Sequence, residues 1–128
     1  MPDRHDPIDL GAVRLALRSA LGSHGHRLSG DTAGIHRARY IMGDNDVARA
    51  VFEIKQSADD AVYELMHQGA WVAGMPPRFA VVPGAGAGSD SLETLTQMKA
   101  NPLLFDVVGD TVTFRDLDRL LSEHITPE

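Results

Sequence analysis

The chain has 128 residues, 43% of them hydrophobic and 23% charged, a balance that suits one folded domain and excludes wholesale disorder. Net charge is −6 and there is no cysteine, which excludes disulfides, cysteine-ligated zinc and thiol catalysis. No run of about 18 apolar residues occurs, so no membrane-spanning helix is expected. The charged opening MPDRHDPIDL lacks the apolar block of a secretory signal, and a cytoplasmic location is the expectation.

The charge is unevenly spread. Residues 1–55 hold eight basic against seven acidic side chains, a balance of +1, while the remainder carries −7. Five of the six histidines (His5, His24, His26, His36 and His67) lie in or near that first half. An anionic partner would therefore meet the first half, although an acidic chain overall is a poor platform for tight non-specific nucleic-acid binding.

Asp6-Pro7 reads as a helix start, and Leu10, Val13, Leu17 and Leu21 recur at helical spacing until Gly22 ends the run. A short strand is expected near 26–29, with a turn between Gly30-Asp31 and Gly34. Residues 35–43 and 47–55 flank the turn formers Asp44-Asn45-Asp46 and read as a hairpin. A register with 43 opposite 47 gathers Ala38, Tyr40 and Met42 with Ala50, Phe52 and Ile54 on one apolar face. The other face then collects Arg37, Arg39, Arg49, Glu53 and Lys55.

Ser57, followed by Asp59 and Asp60, starts a second helix with acids in its first turn. Ala58, Val62, Leu65, Met66, Gly69 and Val72 form its apolar stripe, ended by Gly74 and Pro76-Pro77. RFAVV at 78–82 is a buried strand, and the loop GAGAGSD leads into a helix over about 91–100 that stops before Pro102. Leu103–Val108 and Thr111–Phe114 form a second hairpin, and Thr113 caps a last helix bearing Leu117, Leu120, Leu121 and His124. The order α-β-β-β-α-β-α-β-β-α, without repeat or linker, predicts a single α/β domain over 1–128 with a mixed (α+β) sheet.

The string AVFEIKQ puts Glu53 and Lys55 two apart on a strand, hence on one face, with Phe52 and Ile54 on the other. This resembles the (D/E)XK half of the PD-(D/E)XK nuclease superfamily, the restriction-endonuclease-like fold. That fold's core runs α-β-β-β-α-β, the order of residues about 6–83, with 84–128 as an α-β-β-α extension. The resemblance implies a hydrolase, a Mg²⁺-dependent phosphodiesterase of DNA processing or defence, in which Glu53 holds the metal and Lys55 is the catalytic lysine. The chemistry would be metal-assisted phosphodiester hydrolysis, with oxygen ligands and an activated water. One position departs from the pattern: HRARYIMG has Arg39 where the family carries its second-strand aspartate. Asp31 is then the best substitute ligand, and catalysis is expected to be impaired. Arg37, Arg39 and Arg49 would contact nucleic acid.

Other readings stand beside this one. The charged face is equally an ordinary solvated sheet surface, its ion pairs each worth a few tenths of a kcal/mol. A non-enzymatic interaction module is the alternative function, engaging a protein partner or a second copy. The glycine loop lacks the lysine and hydroxyl of a P-loop and reads as a connector. His24-X-His26 with His36 reads as turn histidines, His67-Gln68 as a helix flank, and Trp71 as packing or interface.

Overall fold

A strand that must be buried on both faces needs helices on both, and the chain supplies them in alternation. The structure, a computed structural model, describes residues 8–23, 27–31, 37–41, 48–68 and 77–124. It contains α1 (Leu10–Ser23), β1 (Arg27–Asp31), β2 (Arg37–Ile41), β3 (Ala48–Ile54), α2 (Ala58–Gln68) and β4 (Arg78–Pro83). These are followed by α3 (Ser89–Gln97), β5 (Ala100–Val108), β6 (Thr111–Phe114) and α4 (Leu117–His124). The element order is the one read from the sequence, and the fold is mixed α/β.

All six strands form one sheet in sequence order. β1–β2 and β2–β3 pair antiparallel, β3–β4 and β4–β5 parallel, and β5–β6 antiparallel. The two parallel steps require crossover helices, and α2 and α3 provide them. Because both crossovers advance in the same direction, they cover the same sheet face. α1 and α4 cover the other, which makes three layers.

The α1/α4 face is packed with large side chains. Leu10, Val13, Leu17 and Leu21 of α1 meet Ala50, Phe52, Ile54, Phe79, Val81, Leu103 and Phe105 of the sheet, with Leu117, Leu120 and Leu121 of α4. Phe52 stacks on Phe79 at 5.0 Å between ring centroids, and His124 meets Phe79 edge-on at 5.8 Å. The α2/α3 face is built from smaller groups: Ala58, Ala61, Leu65, Ala80, Val82, Leu95 and Ala100.

The β2–β3 register follows the sequence reading over four pairs. Ala38 lies opposite Phe52 and Tyr40 opposite Ala50, while Arg37 pairs with Glu53 and Arg39 with Val51. A bulge then intervenes, for Ile41 pairs with Ala48 and leaves Arg49 without an opposite residue. The turn at 44–46 lies outside the described residues, as do Asp6-Pro7, His24, His26, His36, Trp71 and the stripe positions Gly69 and Val72.

Several boundaries differ from expectation, each for a local reason. α1 begins at Leu10, capped by Asp9, whose carboxylate accepts from the Ala12 N–H at 3.2 Å. Gly22 lies inside α1 and does not end it. Ser57 caps α2 as expected, its Oγ accepting from the Asp60 N–H at 3.1 Å. On that helix Ala61 is buried, while Met66 points outward at 69% exposure. α3 ends at Gln97, and Lys99, at φ 63°, turns the chain into β5. Pro102 therefore lies within β5 and does not act as a helix stop. It pairs with Ala80 of β4, before β6 joins at Phe105, so no ladder on its other side asks for its missing N–H. Thr113 is a strand residue, and Asp116, at φ 57°, makes the turn into α4.

One contact ties the opening of the chain to the centre of the sheet. The Gln56 carboxamide accepts from the Ile8 N–H at 2.9 Å and donates to the Ile8 carbonyl at 2.7 Å, across 48 residues of sequence. A primary amide presents one donor and one acceptor side by side, so it caps an extended residue as a neighbouring strand would. Gln56 follows directly on Glu53 and Lys55, and the contact fixes the approach of α1 to that end of β3.

Candidate functional site

β3 and β4 are the two central strands, and every charged group on them must answer for its burial. Alternation along β3 turns Phe52 and Ile54 toward α1 and leaves Glu53 and Lys55 facing α2. α2 closes over this face directly after β3. Glu53 is consequently only 1% exposed. Lys55, nearer the strand end, keeps 14% of its side chain exposed and places Nζ 3.5 Å from Glu64 Oε1 on α2. The solvated charged face expected from the sequence is thus, at Glu53, an interior one.

A carboxylate in such a place needs a cation or a set of donors, since an isolated buried charge is prohibitively costly. On that buried face the neighbouring strand carries a described cation, Arg78, 7% exposed at the start of β4. The parallel register pairs Val51 with Arg78 and Glu53 with Ala80, so Glu53 and Arg78 are diagonal neighbours on the α2/α3 face. Burial pulls the guanidinium below its ordinary pKa, and the Glu53 charge pulls it back up. Arg78 Nη2 also donates to the Met98 carbonyl at the C-terminus of α3, where the helix dipole favours a cation. Asn101 Nδ2 holds the Arg78 carbonyl from β5 at 3.1 Å. The guanidinium is therefore held at the negative end of α3, one diagonal step from Glu53 in the β3–β4 register.

The remaining sequence candidates take these places. Arg37 occupies the register row of Glu53, and Arg39 that of Val51. Arg49 is the extra residue of the bulge. Asp31 pairs with Ala38, which pairs with Phe52, so it lies two strands from β3 and in the row of Phe52. Arg78 was missed by sequence reasoning because it opens an otherwise apolar strand and passes for a boundary residue. The available signal was its position two residues before Ala80, in phase with the inward positions of a strand expected to be buried on both faces.

Magnesium is the metal that the nuclease resemblance implies. It takes hard oxygen ligands in a near-octahedral set. The charged side chains described beside Glu53 are a guanidinium and, further along the same face, an ammonium already near a carboxylate, and this set does not fit a divalent cation. Among the described residues, no group of three or more His, Asp or Glu side chains comes together.

Two other surface features bear on function. The loop after β4 begins with Gly84, whose N–H donates to the Phe105 carbonyl at 2.8 Å. The Arg115 guanidinium lies against Gly84, so that a Cβ there would stand 2.5 Å from Arg115 Cζ. Arg115 is itself held by Asp106 through two bonds of 2.6 and 2.7 Å. Between α2 and α3 runs an open groove of about 310 Å³, lined by Val62, Tyr63, Met66 and Thr94, with Asp59 and Asp90 at its rim. Tyr63 is 67% exposed there.

The class these features define is a three-layer mixed α/β domain with two buried charged residues, Glu53 and Arg78, on its central strands. Comparison with family models, with curated proteins and with solved structures gives no match. Among the described residues, no helix is long and apolar enough to cross a membrane.

Proposed function

We propose that the chain is a nuclease-like domain of restriction-endonuclease-like architecture whose catalysis is impaired and whose basic first half contacts nucleic acid. The observation that carries the reading is the placement of Glu53 at the end of a central strand with Lys55 directly beyond it on the same face, within an α-β-β-β-α-β order and directly before a capped helix. Support for impairment comes from the cation beside Glu53 and from Arg39 at the aspartate position of the family pattern. Nucleic-acid contact would then fall to β2, which carries Arg37 and Arg39, and to the bulged start of β3, which carries Arg49.

The test is binding of labelled single- and double-stranded DNA and RNA by fluorescence anisotropy over a salt series. Each phosphate contact contributes about one unit to the slope of log affinity against log salt. Arg37→Ala and Arg39→Ala should each weaken binding and reduce that slope by about 1. Cleavage with Mg²⁺ or Mn²⁺ should not exceed that of Glu53→Ala, and Glu53-dependent cleavage would restore the active-nuclease reading.

The groove between α2 and α3 favours a second reading, an interaction module for a protein partner or a second copy. Tyr63 and Met66 expose apolar surface beside Asp59 and Asp90. Concentration-dependent association in sedimentation, lost in Tyr63→Ala/Met66→Ala, would support it. A wild type that stays monomeric would leave no second copy in the groove.

A further inference from the structure

The pairing at the sheet centre has a consequence beyond impaired catalysis, and it rests on the nuclease-like reading. A carboxylate that holds a divalent ion needs that ion to balance its charge. Here the balance comes from within the chain. Glu53 and Arg78 are both buried on the α2/α3 face, on adjacent central strands and one diagonal step apart. Arg78 is anchored at two other points, its guanidinium by the Met98 carbonyl and its backbone carbonyl by Asn101, which fixes it beside Glu53. Lys55 is engaged with Glu64, and Arg37 shares the Glu53 register row from β2. Among the described side chains on this face, the charged neighbours of Glu53 are the Arg78 guanidinium and a lysine already near a carboxylate.

We propose that Arg78 is the resident counter-ion of Glu53, so that this sheet face folds and binds without any divalent ion. A guanidinium suits the role because it stays charged when buried and offers several donors in one plane. The helix C-terminus behind it adds a second negative partner, which keeps the cation in place independently of Glu53.

Thermal unfolding of the intact chain, freed of metal by chelator and then titrated with Mn²⁺ or Mg²⁺, gives the first answer. A site with a dissociation constant of about 1 mM would lower the unfolding constant about tenfold at ~10 mM metal. The wild type should show no such change beyond that of Glu53→Gln. A tenfold stabilisation that disappears in Glu53→Gln would overturn the proposal.

A double-mutant cycle gives the second. Arg78→Met should raise the unfolding constant by about a hundredfold or more, because it strands a buried carboxylate. Adding Glu53→Gln should return at least about tenfold of that loss, and purely multiplicative effects would overturn the pairing. Should Arg78→Met fail to fold, Arg78→Lys keeps the charge and must retain the wild type's indifference to metal. A metal response gained by Arg78→Lys and lost again with Glu53→Gln would overturn the proposal, and no response supports it.

Nucleic-acid binding, scored separately in chelator, keeps the two ideas apart. Binding that requires Mg²⁺ overturns the counter-ion proposal. Absence of any binding removes the nuclease-like reading, while metal indifference and the mutant cycle still decide whether Arg78 balances Glu53.

Discussion

The two faces of the sheet solve the same burial problem with different chemistry. Under α1 and α4 the contacts are mostly Leu, Val, Ile and Phe, arranged around the stacked Phe52 and Phe79. Under α2 and α3 the hydrophobic contacts are mostly alanine and leucine, and the same layer admits Glu53 and Arg78. Alanines let the helices approach closely and leave little apolar area to bury; about 25 cal/mol per Å² then supplies correspondingly less on that side. The first face is where stability resides. The second can carry charged groups because the first does not depend on them.

The largest effect should come from the apolar face. Phe52→Ala empties a fully buried position between Phe79 and α1, and truncations of this kind cost about 3–5 kcal/mol. Denaturant unfolding should show a midpoint shift of that size with little change in slope. A loss below about 1 kcal/mol would mean that the two faces share the load and that the contrast drawn between them is wrong.

Overpacking probes the other face. Ala80 is fully buried, directly opposite Glu53 in the β3–β4 register, beneath α2 and α3. Ala80→Leu inserts a branched side chain into a layer spaced for small ones, with an expected cost of about 1–3 kcal/mol. The same substitution should disturb the Glu53–Arg78 neighbourhood, whereas Phe52→Ala should leave it intact. Combining Ala80→Leu with Glu53→Gln therefore sharpens the comparison: the two should couple, while Phe52→Ala and Glu53→Gln should be closer to additive.

A smaller effect belongs to the hairpin rim. Arg115 holds Asp106 below the usual carboxylate range, chiefly through their hydrogen bonds, which outweigh the opposing desolvation, and secondarily by charge. A depressed folded-state pKa contributes stability that is present above the unfolded value and is lost as pH falls through the folded one. The loss should begin near pH ~4 and continue downward. Asp106→Asn should flatten that part of the acid-unfolding profile by removing the small contribution near neutrality, with stability at low pH nearly unchanged, since the pair lies at the surface. An unchanged acid limb would show that the pair contributes nothing in solution.

What could be read in the sequence follows the same division. The stripe Leu10, Val13, Leu17, Leu21 and the alternation Ala50, Phe52, Ile54 announce the α1-facing core, because apolar periodicity is local information. The register of β2 against β3 was legible too, since a slip would have mixed Arg37 and Arg39 with Phe52 and Ile54. Glu53 and Lys55 were visible as a pair on one face, but not their burial. That depends on α2 and α3 folding back over the parallel strands, which no local pattern states. Arg78 was hidden for the same reason: its partners, Glu53 and Met98, lie 25 and 20 residues away in sequence. The Gln56–Ile8 clamp spans 48 residues and has no periodic signature at all.

The smallest effect expected is also the one that tests the anchor behind Arg78. Lys99 follows the C-terminus of α3 with φ 63°, a conformation in which a side chain costs about 1 kcal/mol relative to glycine. Its backbone N–H closes the helix end on the Thr96 carbonyl at 3.0 Å, next to the Met98 carbonyl that receives Arg78. Lys99→Gly should relieve the strain and stabilise the fold by about 0.5–1 kcal/mol, read as a rise in denaturant midpoint. Glycine also loosens the unfolded chain, which offsets part of the gain and sets the upper limit. A destabilisation instead would mean that the Lys99 side chain is needed where the α2/α3 face turns into β5. The charged layer would then depend on more than the Glu53–Arg78 pair for its cations, and the two faces would differ less in how their charges are held than in how their apolar groups are packed.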